Sequence, residues 1–242
     1  MTAWLYCICR NEARLMPYLL RHYTTFVDKL IFYDDQSDDG TRQLIQSCPQ
    51  AELRDWPGSH GIVDDEFMDF ANQQWKEARG KAHWVIWIDA DEFIYHPQIV
   101  EVLDRLLAAG VDLPQLHGYT MVADHFPTTT GQIYDEIKTG FYDEAWSKPA
   151  IFRADMKWNV GRHSYDHVAV KLRLSDQVEL KLLHYRCLGM DYLRQRHERN
   201  WDRVPDRCRR LAYGTNCAPD QTGHHTVTWF DQISKSKFPE II

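Results

Sequence analysis

The chain has 242 residues, 44% of them hydrophobic and 26% charged; that is enough apolar material for a large core and excludes a disordered polypeptide. Lys and Arg total 28 against 35 Asp and Glu, a net charge of -7, so the basic excess that captures phosphate backbones is missing and nucleic-acid binding is not expected. No stretch approaches the ~20 apolar residues that cross a bilayer, and the run from Ala3 to Ile8 is too short, with no basic region before it, for a signal peptide. A cytoplasmic protein is expected.

The first half alternates short apolar runs with helical patterns, the mark of βαβ units and a largely parallel sheet. Ala3 to Cys9 reads as a strand, Ala13 to Phe26 as a helix, Lys29 to Asp34 as a strand, Gly40 to Cys48 as a helix and Ala51 to Asp55 as a third strand. After the turn at Pro57 and Gly58, a helix from Asp64 to Ala78 is predicted to bury Phe67, Phe70, Ala71 and Trp75. His83 to Ile88 is the most hydrophobic strand, and Val85 to Ile88 lacks polar alternation, so it should be central and covered on both faces.

Beyond it come a helix from Gln98 to Ala109, a strand near Gly118 to Ala123 and a Thr-rich loop through Gly131. Ala150 to Arg153, Val168 to Leu174 and Glu179 to Tyr185 read as antiparallel strands, Met190 to Trp201 as a helix, and Arg203 to Arg210 as a basic segment able to touch a membrane surface peripherally. With no internal repeat and no linker, residues 1–242 are expected to form a single domain, residues 1–97 holding a ligand at the sheet edge and residues 98–242 completing the cleft. The six cysteines are expected as reduced thiols, and the Cys7, Cys9 spacing without a companion pair is a poor zinc signature.

In an open α/β sheet, ligands bind beyond the carboxyl ends of the strands, and there the polar residues gather. Arg10, Asn11 and Glu12 follow the first strand, Asp34 through Gly40 the second, and Asp89, Ala90, Asp91 and Glu92 the central one. Carboxylates crowded at one edge repel unless a cation neutralises them, and an oxygen-rich set suits Mg²⁺ or Mn²⁺. Asp38 or Asp39 could instead simply cap the next helix. A phosphorylated aspartate, as in a receiver domain or aspartyl phosphatase, fits poorly with this length and with the aromatic-rich second half.

The motifs Cys9-Arg10-Asn11-Glu12, Tyr33-Asp34-Asp35-Gln36-Ser37-Asp38-Asp39-Gly40-Thr41 and Trp87-Ile88-Asp89-Ala90-Asp91-Glu92-Phe93 together resemble those of the family 2 glycosyltransferases and the related family 92 group. His184-Tyr185-Arg186 is similar to their later His-Tyr segment. The resemblance implies a GT-A fold, α/β with a Rossmann-like, mostly parallel central sheet flanked by helices and a less regular acceptor-binding half. It also implies transfer of a sugar from a nucleotide-diphosphate donor, UDP-linked in such families, to a glycan or lipid-linked glycan, with inversion.

Carried over by residue, Asp35 with Asp34 would meet the nucleobase, and Arg10, Asn11 and Glu12 would line the nucleoside pocket. Asp89 would meet ribose or the metal, and Asp91 and His184 would hold Mn²⁺ or Mg²⁺. His163 is a weaker candidate for phosphate or acceptor. The catalytic base is expected among Asp143, Glu144 and Asp166, near Tyr142 and Trp146, while Arg194, Arg196 and Arg199 read as a solvated helix face. No QxxRW motif follows, which speaks for transfer of a single sugar rather than processive synthesis. The competing functions are a nucleotidyltransferase, weakened by the lack of a glycine in the first loop, and a non-catalytic carbohydrate-binding protein.

Overall fold

The computed structural model describes residues 1–61, 63–159, 164–167, 174–210, 230 and 236–242, the side chains of 167 and 174–178 apart. Its first sheet has the order β3-β2-β1-β4-β8. Strands β1 (Ala3–Cys9), β2 (Lys29–Asp34), β3 (Ala51–Asp55) and β4 (Trp84–Ile88) are parallel, and β8 (Ile151–Phe152) closes the edge antiparallel to β4. Strand periodicity builds the core on both faces. Leu5, Cys7, Leu30, Phe32, Trp84 and Ile86 pack on one side, and Tyr6, Ile31, Tyr33, Val85 and Trp87 on the other. The expectation of a doubly covered central strand holds, since every residue of β4 is buried.

The helices of the first half are shorter than their sequence patterns. Pro17 sits in the first turn of α1 (Met16–Tyr23), where a missing N–H costs no hydrogen bond. The Thr24 and Thr25 hydroxyls donate to the carbonyls of Leu20 and His22 at 2.8 and 2.7 Å and end the helix before Phe26. Helix α2 spans Thr41–Gln46, and α3 (Asp64–Gln74) tightens into a 3₁₀ turn over Trp75–Ala78. On α3 the Asn72 amide donates to the Trp158 carbonyl at 3.1 Å and accepts the Trp158 N–H at 2.9 Å, holding β9 (Met156–Trp158) as a neighbouring strand would.

The second sheet has the order β5-β11-β6-β7. Strand β5 (Glu92–Tyr95), within the acidic motif, was not expected; it pairs antiparallel with β11 (Leu174–Leu188). Strand β11 in turn runs parallel to β6 (Leu113–Ala123), so the second half is mixed rather than antiparallel as expected. Strand β7 (Gly140–Tyr142) completes this sheet, with α4 (Ile99–Ala108) before β6 and the short α5 (Ile133–Glu136) before β7. A separate ribbon pairs β9 with β10 (Tyr165–His167), and α6 (Met190–Asp202) and α7 (Asp206–Arg210) follow β11. Residues 168–173, expected as part of a strand, lie outside the described residues. Among the described residues Cys7, Cys9, Cys48, Cys187 and Cys208 are in the thiol form; Cys217 lies outside the described residues.

Candidate functional site

The loops after β1 and β2 are stitched into one rim. Asn11 and Gln36, at φ 53 and 58, are the non-glycine residues with positive φ among those described, and both lie here, where held strain commonly marks a site. The Asn11 side chain donates to Asp38 at 2.8 Å and accepts the Asp38 N–H at 2.9 Å, while its own N–H donates to the Ser37 hydroxyl at 2.8 Å. Asp39 accepts from the Thr41 N–H and hydroxyl at 3.0 and 2.6 Å, satisfying the start of α2. Asp34 is spent on the same architecture: it accepts the Ser37 N–H at 3.0 Å and pairs with Arg42 at 2.8 Å.

The remaining acids face cations from distant parts of the chain. Asp35, buried, pairs with Arg203, with His60 Nδ1 at 2.9 Å and with Arg10 at 3.7 Å. Glu12, also buried, meets Arg196 at 3.3 Å and Arg199 at 3.8 Å. Burial pushes the Glu12 carboxyl up from its ordinary value, with the Arg196 charge opposing. Asp91 pairs with Arg196 and lies 3.1 Å from His184 Nε2. Burial would raise Asp91, but Arg196 and His184 hold its carboxyl well below the usual range. Asp89 pairs with Lys148 at 2.9 Å, and Lys148, itself buried, reaches Glu92 at 2.6 Å.

One row of registered residues crosses the second sheet behind these groups: Glu92 on β5, His184 on β11 and Thr120 on β6. The Trp146 ring lies 4.4 Å from that of His184, and the Thr120 hydroxyl donates to Asp143 at 3.1 Å. The segment holding Asp143, Trp146 and Lys148 can lie this close because residue 118 is glycine; a Cβ there would sit 2.4 Å from the Trp146 carbonyl carbon. The structure therefore brings Asp143 alongside the row through Thr120. Glu144 is exposed in the next turn, and Asp166 stands on the β9–β10 ribbon, 3.4 Å from Asn159. His163 lies outside the described residues.

The expected divalent ion needs Asp89, Asp91 and His184 to converge on one point. Instead Asp89 is paired with Lys148, and the same oxygen of Asp91 meets both Arg196 and His184. Among the described residues no group of three or more His, Cys, Asp or Glu is arranged to hold a metal ion, so the donor set does not fit the ion. The repulsion that called for it is relieved by the protein's own cations.

Those cations are what the sequence analysis missed. Arg194 is exposed as expected, but Arg196 and Arg199 are not a solvated face, because their side chains turn inward to Glu12 and Asp91. Their spacing with Arg203, one helical face of period 3.6, was the available signal. The expected basic surface from Arg203 to Arg210 is likewise partly consumed internally, since Arg203 pairs with Asp35 and Arg207 with Glu66 at 3.3 Å. Among the described residues no helix is long and apolar enough to cross a membrane.

A parallel sheet with polar loops at the carboxyl ends of its strands, backed by a second mixed sheet that carries its own polar row, is the architecture of the GT-A class. Residues 8–167 match glycosyl transferase family 2, and the chain belongs to that family. It is 31% identical over 108 residues, 41% of its length, to a glycosyltransferase family 92 protein of Ricinus communis, and 29% identical over 99 residues, 38% of its length, to one of Oryza sativa subsp. japonica. Those matches cover 19% and 16% of the two relatives, so the chain spans less than a fifth of their length. Among solved structures it is similar to S. aureus TarS 1-349 in complex with UDP-GlcNAc, at 11% identity and a TM-score of 0.49, over 98% of this chain and 77% of that one.

Proposed function

We propose that this chain transfers a single sugar from a nucleoside-diphosphate donor, with uridine as the nucleoside, to a hydroxyl of a glycan or lipid-linked glycan, with inversion. The observation that carries this reading is that Glu12, Asp35 and Asp91, beyond the ends of three parallel strands, are each met by an arginine of α6 or of the turn after it, and that Asp91 also reaches His184 of the second sheet. A nucleoside seated at the ends of β1 and β2 meets Asp35, whose carboxylate accepts from a base N–H, and the stitched loop of Arg10, Asn11 and Glu12. Asp89, less buried than Asp91, suits a ribose hydroxyl.

Residues 1–97 then supply the donor side and residues 98–242 the acceptor side, except that α6 reaches back into the donor rim. Asp143 is the base this arrangement favours. Thr120 fixes its carboxylate, and Trp146, three residues on, offers a ring for an acceptor sugar. Asp143 takes the proton of the acceptor hydroxyl as its oxygen attacks the anomeric carbon and the bond to the diphosphate breaks on the opposite side. The sites of action consistent with this are the cytoplasm and, for a lipid-linked acceptor, the membrane surface.

The test is thermal unfolding of the purified protein with a panel of nucleoside diphosphates and their sugars, each with Mn²⁺ and with EDTA. Ligand at about 100 times its dissociation constant adds ~2.7 kcal/mol to folded-state stability. Stabilisation by one nucleoside diphosphate and its sugar is expected, and no stabilisation by any member refutes the proposal. With the donor known, Asp143→Asn should lower kcat by about 100-fold or more and leave donor affinity unchanged.

A further inference from the structure

The rim holds more donors than its acids use. Arg196 gives one terminal nitrogen to Asp91 and the other to Glu12, Arg203 gives one to Asp35, and Arg10 donates to the Asp35 carbonyl at 2.9 Å. The Nε atoms of Arg10, Arg196, Arg199 and Arg203 are nevertheless buried without a hydrogen-bond partner. A buried donor left without an acceptor is costly. The Arg186 and Arg209 Nε atoms share that state; what distinguishes the rim is that four partly exposed guanidinium groups gather there against Glu12, Asp35 and Asp91, an excess of charge and of donors that suits an anion. The electrostatics agree. Burial lowers the Arg203 guanidinium from its ordinary value, Asp35 opposes this, and the Arg10 and Arg199 charges lower it further, so these groups are close enough to repel one another.

Guanidinium forks match phosphate oxygens, accept bidentate geometry and carry charge at any working pH. We propose that Arg10, Arg199 and Arg203 hold the diphosphate of the donor, with Arg196 standing on Asp91 where a divalent ion would otherwise bind, so that donor binding proceeds without metal. The inference rests on the nucleotide-sugar reading above, and goes beyond it by naming the groups that meet the phosphates. The charge leaving on the diphosphate when the sugar departs is met by the same guanidinium groups, and the Arg196 side chain, only 14% exposed, keeps a positive charge between Asp91 and Glu12 meanwhile.

Calorimetric titration of the intact chain with UDP, GDP, CDP and ADP, and separately with inorganic pyrophosphate, tests this in EDTA and again in Mn²⁺. One nucleotide is expected to bind in EDTA with a Kd within about threefold of that in Mn²⁺. Arg199→Gln, the most exposed of the α6 set, should raise the Kd in EDTA about tenfold, the loss of roughly one charge-assisted hydrogen bond. Arg203→Lys keeps the charge but loses the fork, and should weaken binding in the same direction. Binding that occurs only with Mn²⁺ overturns the inference and leaves the nucleotide-sugar reading standing. Failure of every nucleotide in both conditions removes both, and unchanged affinity in both folded variants removes the clamp alone.

Discussion

Arg196 provides the most direct test of how the rim is held together. Arg196→Met keeps the apolar stem while removing the group that, among the described residues, meets both Asp91 and Glu12. Removing one partner of a buried pair typically costs about 3–5 kcal/mol, because the other charge stays buried. Two acids are orphaned here, but the losses should not double: Asp91 keeps His184 at 3.1 Å, and Glu12, already pushed up by burial, can take a proton. A cost of about 3 kcal/mol at pH 7 is therefore expected from urea denaturation.

The pH dependence has a fixed sign. Without Arg196 the folded-state pKa of Glu12 rises further above its unfolded value, so the folded state binds the proton first, and the deficit is full above that raised value and narrows as pH falls through it toward the unfolded value. Glu12→Gln in the Arg196→Met background should recover part of the loss, giving a coupling energy in the double-mutant cycle. A cost below about 1 kcal/mol, or strict additivity of the two substitutions, would refute the ion-pair account.

His22 is buried between the Ile94 carbonyl at 3.0 Å and the Tyr134 hydroxyl at 3.3 Å, and burial lowers its pKa from 6.5 to about 4. Its contribution is fully present above 6.5 and is lost as pH falls toward 4, about 3 kcal/mol in total; denaturation midpoints of wild type and His22→Gln should differ in slope across that window, and equal slopes would exclude the assignment. Asn72→Ala leaves the Trp158 N–H and carbonyl unpaired and should cost about 2–3 kcal/mol by thermal unfolding, whereas a loss under 0.5 kcal/mol, about the level of an unremarkable surface substitution, would mean that the amide does not hold β9. Gly118→Ala forces the Trp146 backbone away from β6 and should alter tryptophan fluorescence and weaken acceptor binding before donor binding; an unchanged emission spectrum would show that the turn accommodates the methyl group.

Where local pattern decides structure, the sequence is readable. The five strands of residues 3–88 and 151–152 follow from unbroken or alternating apolar runs, and their loops from Asp, Ser and Gly at the strand ends. Strand β5 escaped because Glu92, Phe93 and Ile94 read as the tail of an acidic motif, and its pairing with β11 spans about ninety residues of chain. The parallel alignment of β6 with β11 is likewise a long-range choice that alternation does not encode.

The candidate site divides in the same way. The acids were found because each follows a strand whose end could be read. Lys148, His60 and the α6 arginines were missed because a cation looks the same in sequence whether it points to water or to an acid across the fold. Asp34 shows the converse: sharing a strand end with Asp35, it reads as a ligand group, and the fold also engages it locally, with Ser37 and Arg42.

The pairing of Glu12 and Asp35 with arginines 184 and 168 residues later also sets an order of events during synthesis. When the first sheet has left the ribosome, its strands can already bury their apolar faces, but until α6 emerges Glu12 and Asp91 lack Arg196, and Asp35 has only Arg10 and His60. At ~5–20 residues per second, the stretch of about fifty residues from β8 to Arg203 takes roughly 2.5–10 seconds. A chain truncated before residue 190 would keep the hydrophobic reasons for folding while carrying an open ring of like charge, and its failure would be one of assembly at the rim rather than of the core beneath it.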